Sequence, residues 1–563
     1  MSRIDLHSLA DALSKSAEMC VTGVDDTDPA HPIVTGTTTI EGVEVDLRMD
    51  FRPPFPSSQP AVLLAVPTAL GSIPHVESTG EVCYLSGEGR ILDGRHPGPL
   101  AVECLRRAKR VMSDGLTCAN EGDYAEEYEA YWRRQSTEHV FSVVYPGDQA
   151  CEIVAAEMGD RIILARSIAD VEHYENHGLK SVTRHTGLFA PIADASPFTP
   201  VPDLADLVAL RRAVWAGISR EDAVVLTRLL RHRKKKSDYV LLQIPRPSGE
   251  PALVGLRFAG IDGAHPLCDG GTADTVQPLL VDRLDRDYLM PRGGAALALK
   301  DRKVCVVGCG AVGSRVVDHL VHAGISTLML VDPDALAPEN TYRHPLGRLY
   351  WGRNKAEALA SWTMSNIPYL RVSHSSDDLA TMLDKVPARD WADFDLVVFA
   401  TGDQTAELAA NSALKGSSRP PMLFTWLEPL GVGGHALLSL PNEAGCLQCL
   451  HTDPVGHLCE SRMSFAAPGQ TFSRDISGCG SRFTPFSDSH ANTTAALAAR
   501  LALDFLSGSL VHASADSWKG DSSDFVAAGF TLSDRYRTSS PERVTGFENS
   551  MCPVCGCGRL FNV

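Results

Sequence analysis

The 563-residue chain has no apolar run approaching the roughly 20 residues a membrane span requires. It also has no basic excess: 52 Lys and Arg stand against 69 Asp and Glu, a formal net charge of −17. That argues against a general nucleic-acid binder, which needs a basic face for phosphates. The one basic run, "RHRKKK" (Arg231 to Lys236), reads as a solvated helix end. The N-terminal "MSRIDLHSLADALSKSAEM" is amphipathic and lacks the unbroken apolar core of a signal peptide. Internal repeats and long low-complexity segments are missing too. A cytoplasmic protein with no nucleic-acid and no membrane partner is therefore expected.

Apolar content of 44% and charged content of 21% belong to a globular chain, and the length calls for several domains. In a reducing compartment the fifteen cysteines suggest metal ligation and catalysis before disulfides. Three regions are distinguishable. Residues 1–125 open with the amphipathic helix. "GVEVDLRMDF" then puts Val43, Val45, Leu47, Met49 and Phe51 on one strand face. Next come the irregular "FRPPFPSSQP", the strand-like "AVLLAV", and a helix opened by Pro99. Residues 126–280 mix strand-like runs ("HVFSVVY", "RIILA", "YVLLQI") with helical ones and are expected to form a connecting α/β domain. From 281 to 563, strand and helix alternate, which implies a doubly wound parallel sheet.

In that last region "VCVVGCGAVGS" carries Gly308, Gly310 and Gly313 after a strand and before a helix predicted over 314–323. Such glycines let backbone approach a phosphate at a helix N-terminus, and Asp332 ends the next strand where ribose hydroxyls are held. A dehydrogenase would share these features. However, "VDPDALAPENTYRH" adds Asp334, Asn340 and Arg343, "GRNKAEAL" adds Lys355, and "FATGD" adds Asp403. An arginine, a lysine and an extra carboxylate around one crevice suit a triphosphate with Mg²⁺ better than hydride transfer.

Residues 281–563 resemble the ubiquitin-activating and ThiF/MoeB adenylation family in "GCGAVGS", "LVDPD", "ENTYRH", "GRNKAEAL" and "ATGD". The resemblance implies ATP-dependent adenylation of a protein's C-terminal glycine, by a homodimer formed through this domain. It also implies that Asp332 contacts ribose, that Asn340, Arg343 and Lys355 contact phosphates, and that Asp403 holds Mg²⁺.

Two pairs, "CLQC" (Cys446, Cys449) and "CPVC" (Cys552, Cys555), can close a tetrahedral zinc site that staples the C-terminus to this domain. A redox role remains the alternative for either pair alone, and Cys557 is a spare thiol beside the second. Cys479, flanked by glycines in "ISGCGSRF", is the candidate nucleophile, activated by Arg482 or a nearby helix N-terminus. Its segment is similar in position to the catalytic cysteine loop of activating enzymes. Cys459 is the runner-up.

Residues 1–125 look like a ubiquitin-conjugating domain. In that family a His-Pro-Asn-Ile segment leads to Gly-x-x-Cys. Aligned on Gly80 and Cys83 of "IPHVESTGEVC", Pro74 falls on the proline and His75 on the asparagine. The resemblance implies an acyl-carrying Cys83, with His75 as candidate oxyanion donor. The whole order resembles the fused activating–conjugating enzymes of bacterial antiviral (CBASS) operons. Implied partners are a protein ending in glycine, either a CD-NTase (a cyclic-oligonucleotide synthase) or a ubiquitin-like protein, and target lysines. Implied cofactors are ATP, Mg²⁺ and Zn²⁺. Sulfur-carrier adenylation without conjugation is the alternative function.

Overall fold

The computed structural model describes residues 5–71, 73–85, 91–136, 138–147, 149–176, 181–198, 201–202, 206–231, 233, 235–414, 420–475, 482–538 and 543–556. The chain divides into two compact units: Met1–Ile168 with Ser181–Arg283, and Ala169–Lys180 with Leu284–Val563. No helix among the described residues is long and apolar enough to cross a membrane.

The first unit starts with α1 (Leu6–Lys15), whose N-terminus is capped by the Asp5 carboxylate accepting from the Ser8 N–H. Leu6, Leu9, Ala10 and Leu13 recur at helical spacing and are buried. The strands β1 (Cys20–Asp25), β2 (Ile33–Ile40), β3 (Val43–Asp50) and β4 (Ala61–Leu64) form an antiparallel meander in that order. Glu41 and Gly42 link β2 to β3, both at positive φ, which keeps a two-residue turn in step with the strand twist. Val45, Leu47 and Met49 face the core as expected, while Val43 stays exposed at the turn and Phe51 lies beyond the strand. Helix α2 (Pro97–Leu116) starts at Pro97 rather than at Pro99 and covers the sheet together with α1.

Two short helices, α3 (Asp123–Glu126) and α4 (Tyr128–Arg133), lead into the next strands. The runs expected to form a connecting α/β domain close into a barrel. Its strands are β5 (Glu138–Ser142), β6 (Cys151–Met158), β7 (Arg161–Ala165), β8 (Thr183–Pro191), β9 (Ser237–Ile244), β10 (Ala252–Ala259) and β11 (Thr275–Arg283). Between β7 and β8 lies α5 (Ile168–Glu175), almost wholly part of the second unit; α6 (Leu207–Gly217) and α7 (Arg220–Arg231) follow β8. The barrel order is β10-β11-β5-β7-β6-β8-β9, with β9 pairing back to β10. All seven strands contribute to one buried cluster including Val140, Ile153, Leu164, Phe189, Leu241, Leu253 and Leu279. Alternate residues of β8 to β10 pack against α6, α7, Tyr128 and Trp132.

The second unit holds α8 (Arg286–Arg292), β12 (Lys303–Val307), α9 (Gly313–His322), β13 (Thr327–Val331), α10 (Lys355–Asn366) and β14 (Arg371–Ser375). It continues through α11 (Leu379–Lys385), α12 (Ala388–Trp391), β15 (Leu396–Phe399), α13 (Gln404–Ala413), β16 (Met422–Leu427), β17 (Gly433–Ser439) and α14 (Leu447–Leu450). A small ladder of β18 (Arg474–Asp475) and β19 (Arg482–Phe483) precedes α15 (Asp488–Leu506) and β20 (Ser514–Lys519). The main sheet runs β14-β13-β12-β15-β16-β17-β20, parallel from β14 to β16 and antiparallel at β17 and β20. This is the expected doubly wound sheet with an antiparallel edge. Its strand order reverses between β12 and β15, which opens a crevice beyond their carboxyl ends.

Candidate active sites

The crevice is lined by the turn after β12. Gly308 sits at φ +92, and a Cβ there would meet the Ala400 carbonyl oxygen at 2.5 Å. A Cβ at Gly313 would lie 1.8 Å from the Gly308 oxygen, so the protein's own packing demands these two glycines. Gly310 is different: nothing lies within 4 Å of its Cβ position, so its bareness leaves room beside the first turn of α9. That room can take a phosphate at the positive end of the α9 dipole, although the Ser314 and Arg315 N–H groups already donate to the Gly310 and Val312 carbonyls.

Asp332 is buried, and its Oδ2 accepts from the Cys309 N–H at 2.7 Å while Oδ1 accepts from the Asp334 N–H at 2.9 Å. Burial pushes its carboxyl upward, and nearby Lys355 opposes that. Each oxygen keeps a second lone pair for a ribose hydroxyl. The Lys355 Nζ lies 2.8 Å from Oδ2 of Asp334. Asn354 caps α10 and donates to the Asp332 carbonyl at 2.7 Å. The Asn340 Oδ1 accepts from the Ala337 N–H at 3.0 Å, leaving its amide NH₂ as donor. The Arg343 guanidinium lies 5.1 Å from the centre of the Phe486 ring. Asp403 ends the turn after β15; its Oδ1 caps α13 through Thr405 and Ala406, and Oδ2 remains for a cation.

Two residues that the sequence did not single out hold this crevice together. His344 is buried, its Nε2 donating to the Cys309 carbonyl at 2.8 Å and its Nδ1 accepting from the Leu346 N–H at 3.1 Å. Burial lowers its pKa to about 4, so it is neutral and fixed in one tautomer. Glu407, also buried, accepts from the Thr401 N–H at 3.0 Å and the Thr401 hydroxyl at 2.8 Å, and burial lifts its pKa to about 8.

The four cysteines of the two CxxC pairs meet, 106 positions apart in sequence, with all Sγ atoms within 4.8 Å of one another. Cys446 and Cys552 are 3.7 Å apart, Cys449 and Cys555 3.2 Å, and all four are buried. A tetrahedral zinc with bonds of about 2.3 Å has sulfur–sulfur edges of about 3.8 Å, so the set fits that ion. Cys459 lies in the loop after α14, its N–H donating to the His451 carbonyl at 3.0 Å. Burial raises its thiol pKa, with Arg462 opposing. Cys479 and Cys557 lie outside the described residues.

Cys83 is exposed at the end of a tight turn. Gly80, at φ +85, lets that turn pass close to β4: a Cβ would lie 2.5 Å from the Leu64 oxygen. The Cys83 N–H donates to the His75 carbonyl at 2.7 Å. Burial first, and then the carboxylates of Glu127, Glu77 and Glu81, push the thiol upward. The ring of His75, expected as an oxyanion donor, is engaged elsewhere. Its Nε2 lies 2.8 Å from Oδ2 of Asp123 and its Nδ1 lies 3.3 Å from Oε2 of Glu127. These partners, Glu127 foremost, raise its pKa to about 9 against the opposing effect of burial. Asp123 and Glu127 are further site residues that sequence reasoning passed over, because isolated acids look like solvated surface.

The chain is 29% identical to the ATP-dependent ubiquitin transferase-like protein Cap2 of Pseudomonas aeruginosa strain BWHPSA011, over 85% of this chain and 88% of that protein. The Vibrio cholerae protein of the same name is 23% identical over 70% of this chain and 72% of its own. The crystal structure of E. coli MccB with ATP overlaps 46% of this chain and 68% of that one, at 19% identity and a TM-score of 0.33. Residues 9–141 match the Prokaryotic E2 family B, and residues 285–522 match the ThiF family. The chain thus carries a Prokaryotic E2 family B domain ahead of a ThiF family domain.

Proposed function

We propose that the chain adenylates the C-terminal glycine of a partner protein, takes the acyl group on Cys479, passes it to Cys83 and delivers it to a target amine. ATP-dependent adenylation and conjugation are the activities of its ThiF and E2-type domains. The observation that supports adenylation is the crevice itself: open space at Gly310, next to Cys309, whose N–H donates to the buried Asp332. The partner's carboxylate attacks the α-phosphate, a new P–O bond forms, and pyrophosphate leaves. The α9 N-terminus, the Asn340 amide, Arg343 and Lys355 hold phosphate charge, and Asp332 receives the ribose. The free Asp403 oxygen would hold Mg²⁺, whose charge eases pyrophosphate departure.

The Cys479 thiolate then attacks the acyl carbon and AMP leaves. The Cys83 thiolate attacks the resulting thioester, which returns the Cys479 thiol. A lysine amine finally displaces Cys83 and forms an amide. The Cys446, Cys449, Cys552 and Cys555 set would hold Zn²⁺ in a structural role. Relatives named ATP-dependent ubiquitin transferase-like protein support a ubiquitin-like transfer; a CD-NTase or ubiquitin-like partner, in antiviral (CBASS) defence in the cytoplasm, rests on the family resemblance of the sequence. Tyr342, Leu349 and Trp351, exposed apolar side chains in the loop between β13 and α10, support a homodimer that covers them. Sulfur-carrier activation would leave the Cys83 turn without a role.

The test is ATP–pyrophosphate exchange with a partner ending in glycine and with the same partner lacking that glycine. Exchange only with the intact terminus supports the proposal; exchange equal for both contradicts it.

A further inference from the structure

The face of α4 carries the inference. Glu127, Tyr131 and Arg134 recur at helical spacing and meet the Cys83 turn together. Glu127 and Asp123 hold the two ring nitrogens of His75. The Tyr131 hydroxyl accepts the His75 backbone N–H at 2.9 Å. Arg134 donates to the Val76 carbonyl at 3.2 Å, pairs with Glu77 at 2.8 Å and stacks 4.4 Å from the Tyr131 ring centre. His75 itself sits at φ +62, in the left-handed region, so something must hold it there. The rest of α4 is anchored in the barrel. Trp132 Nε1 donates to the Leu279 carbonyl at 3.1 Å, Tyr128 is buried against Phe198, and Glu129 accepts from the Leu253 N–H at 3.1 Å.

We propose that Asp123 and Glu127 are positioning residues for Cys83. By clamping both ring nitrogens of His75 they fix the turn whose carbonyl receives the Cys83 N–H, and through α4 they tie that turn to the barrel. The proposal rests on Cys83 being the acyl carrier. In it, His75 is a charged latch and donates nothing to an oxyanion. The latch needs an imidazolium and two carboxylates, so it holds at neutral pH and releases as pH rises through about 9. The groups that face it are Asp123, Glu127, Tyr131, Arg134, Glu77, Glu81 with its partner Arg52, and Cys83.

The test is iodoacetamide alkylation of the full chain from pH 7 to 10.5, with the Cys83 peptide read by mass spectrometry. Wild-type Cys83 should react with a midpoint above the ordinary thiol value of about 8.5. Glu127→Gln should move the midpoint down, because the carboxylate that pushes the thiol upward is gone, and speed alkylation at pH 8 by about 3-fold or more. His75→Asn tolerates the positive φ but cannot bridge both acids. It should lose the component that wild type gains near pH 9, and its midpoint should not fall, because Glu127 and Asp123 are left without the cation that offsets them. If Glu127→Gln does not fold, Asp123→Asn replaces it and should likewise lose the component gained near pH 9. Profiles for these variants superimposable on wild type would overturn the proposal. A shifted profile alongside unimpaired conjugation by Cys83→Ala would keep the clamp and remove the acyl-carrier reading.

Discussion

Lys355 and Asp334 are joined twice: the side-chain Nζ lies 2.8 Å from Oδ2 of Asp334, and the Lys355 backbone N–H donates to the Asp334 carbonyl at 2.8 Å. The lysine is thereby held beside the glycine turn, its side chain only 12% exposed, while Asp334 remains 67% exposed. An ion pair with so exposed a partner contributes about 0–1 kcal/mol to stability. Lys355→Ala should therefore leave the melting temperature nearly unchanged. It should lower ATP–pyrophosphate exchange about 100-fold or more, the loss typical of one preorganised charge contact. Near-normal exchange in that variant would remove Lys355 from the phosphate site.

His344 sets an acid limit on the second unit. Its folded pKa, about 4, lies below the unfolded 6.5, so between these values the unfolded chain binds a proton that the folded chain does not. Its contribution is complete above pH 6.5 and is lost as pH falls toward 4. His344→Gln should flatten the fall of melting temperature over that window. It should also destabilise the protein at pH 7 by about 1–3 kcal/mol, through the buried partners left unpaired. A melting curve with the same pH slope in both proteins would contradict this.

Metal content tests the cysteine cluster. Protein purified without chelator should carry one zinc per chain, and Cys552→Ser should carry little. Because the cluster joins positions 106 residues apart, metal loss should lower the melting temperature and speed proteolysis of residues 543–556. Full zinc occupancy in Cys552→Ser would mean that the four sulfurs do not act as one site.

The crevice after β12 was legible because its signals are local: glycines at fixed offsets after a strand, and an acid at the end of the next. The cysteine pairs were legible for the same reason. The barrel was not. β5 lies between β11 and β7, and short apolar runs such as "RIILA" state that a strand exists without stating its neighbour. Nor did the sequence reveal that α5 leaves the barrel for the second unit. There Asn176 donates to the Met364 carbonyl and accepts from the Leu370 N–H across nearly 200 positions. The His75 clamp escaped notice because its two acids lie 48 and 52 positions downstream, where nothing local marks them.

The most direct measurement is a non-reducing gel of the full chain with ATP, Mg²⁺ and a partner ending in glycine. Wild type, Cys83→Ala and Cys479→Ala would be compared. The account predicts a thiol-sensitive adduct on wild type that is confined to Cys479 in Cys83→Ala and absent from Cys479→Ala. No adduct on any variant, with pyrophosphate exchange intact, would contradict the cysteine relay.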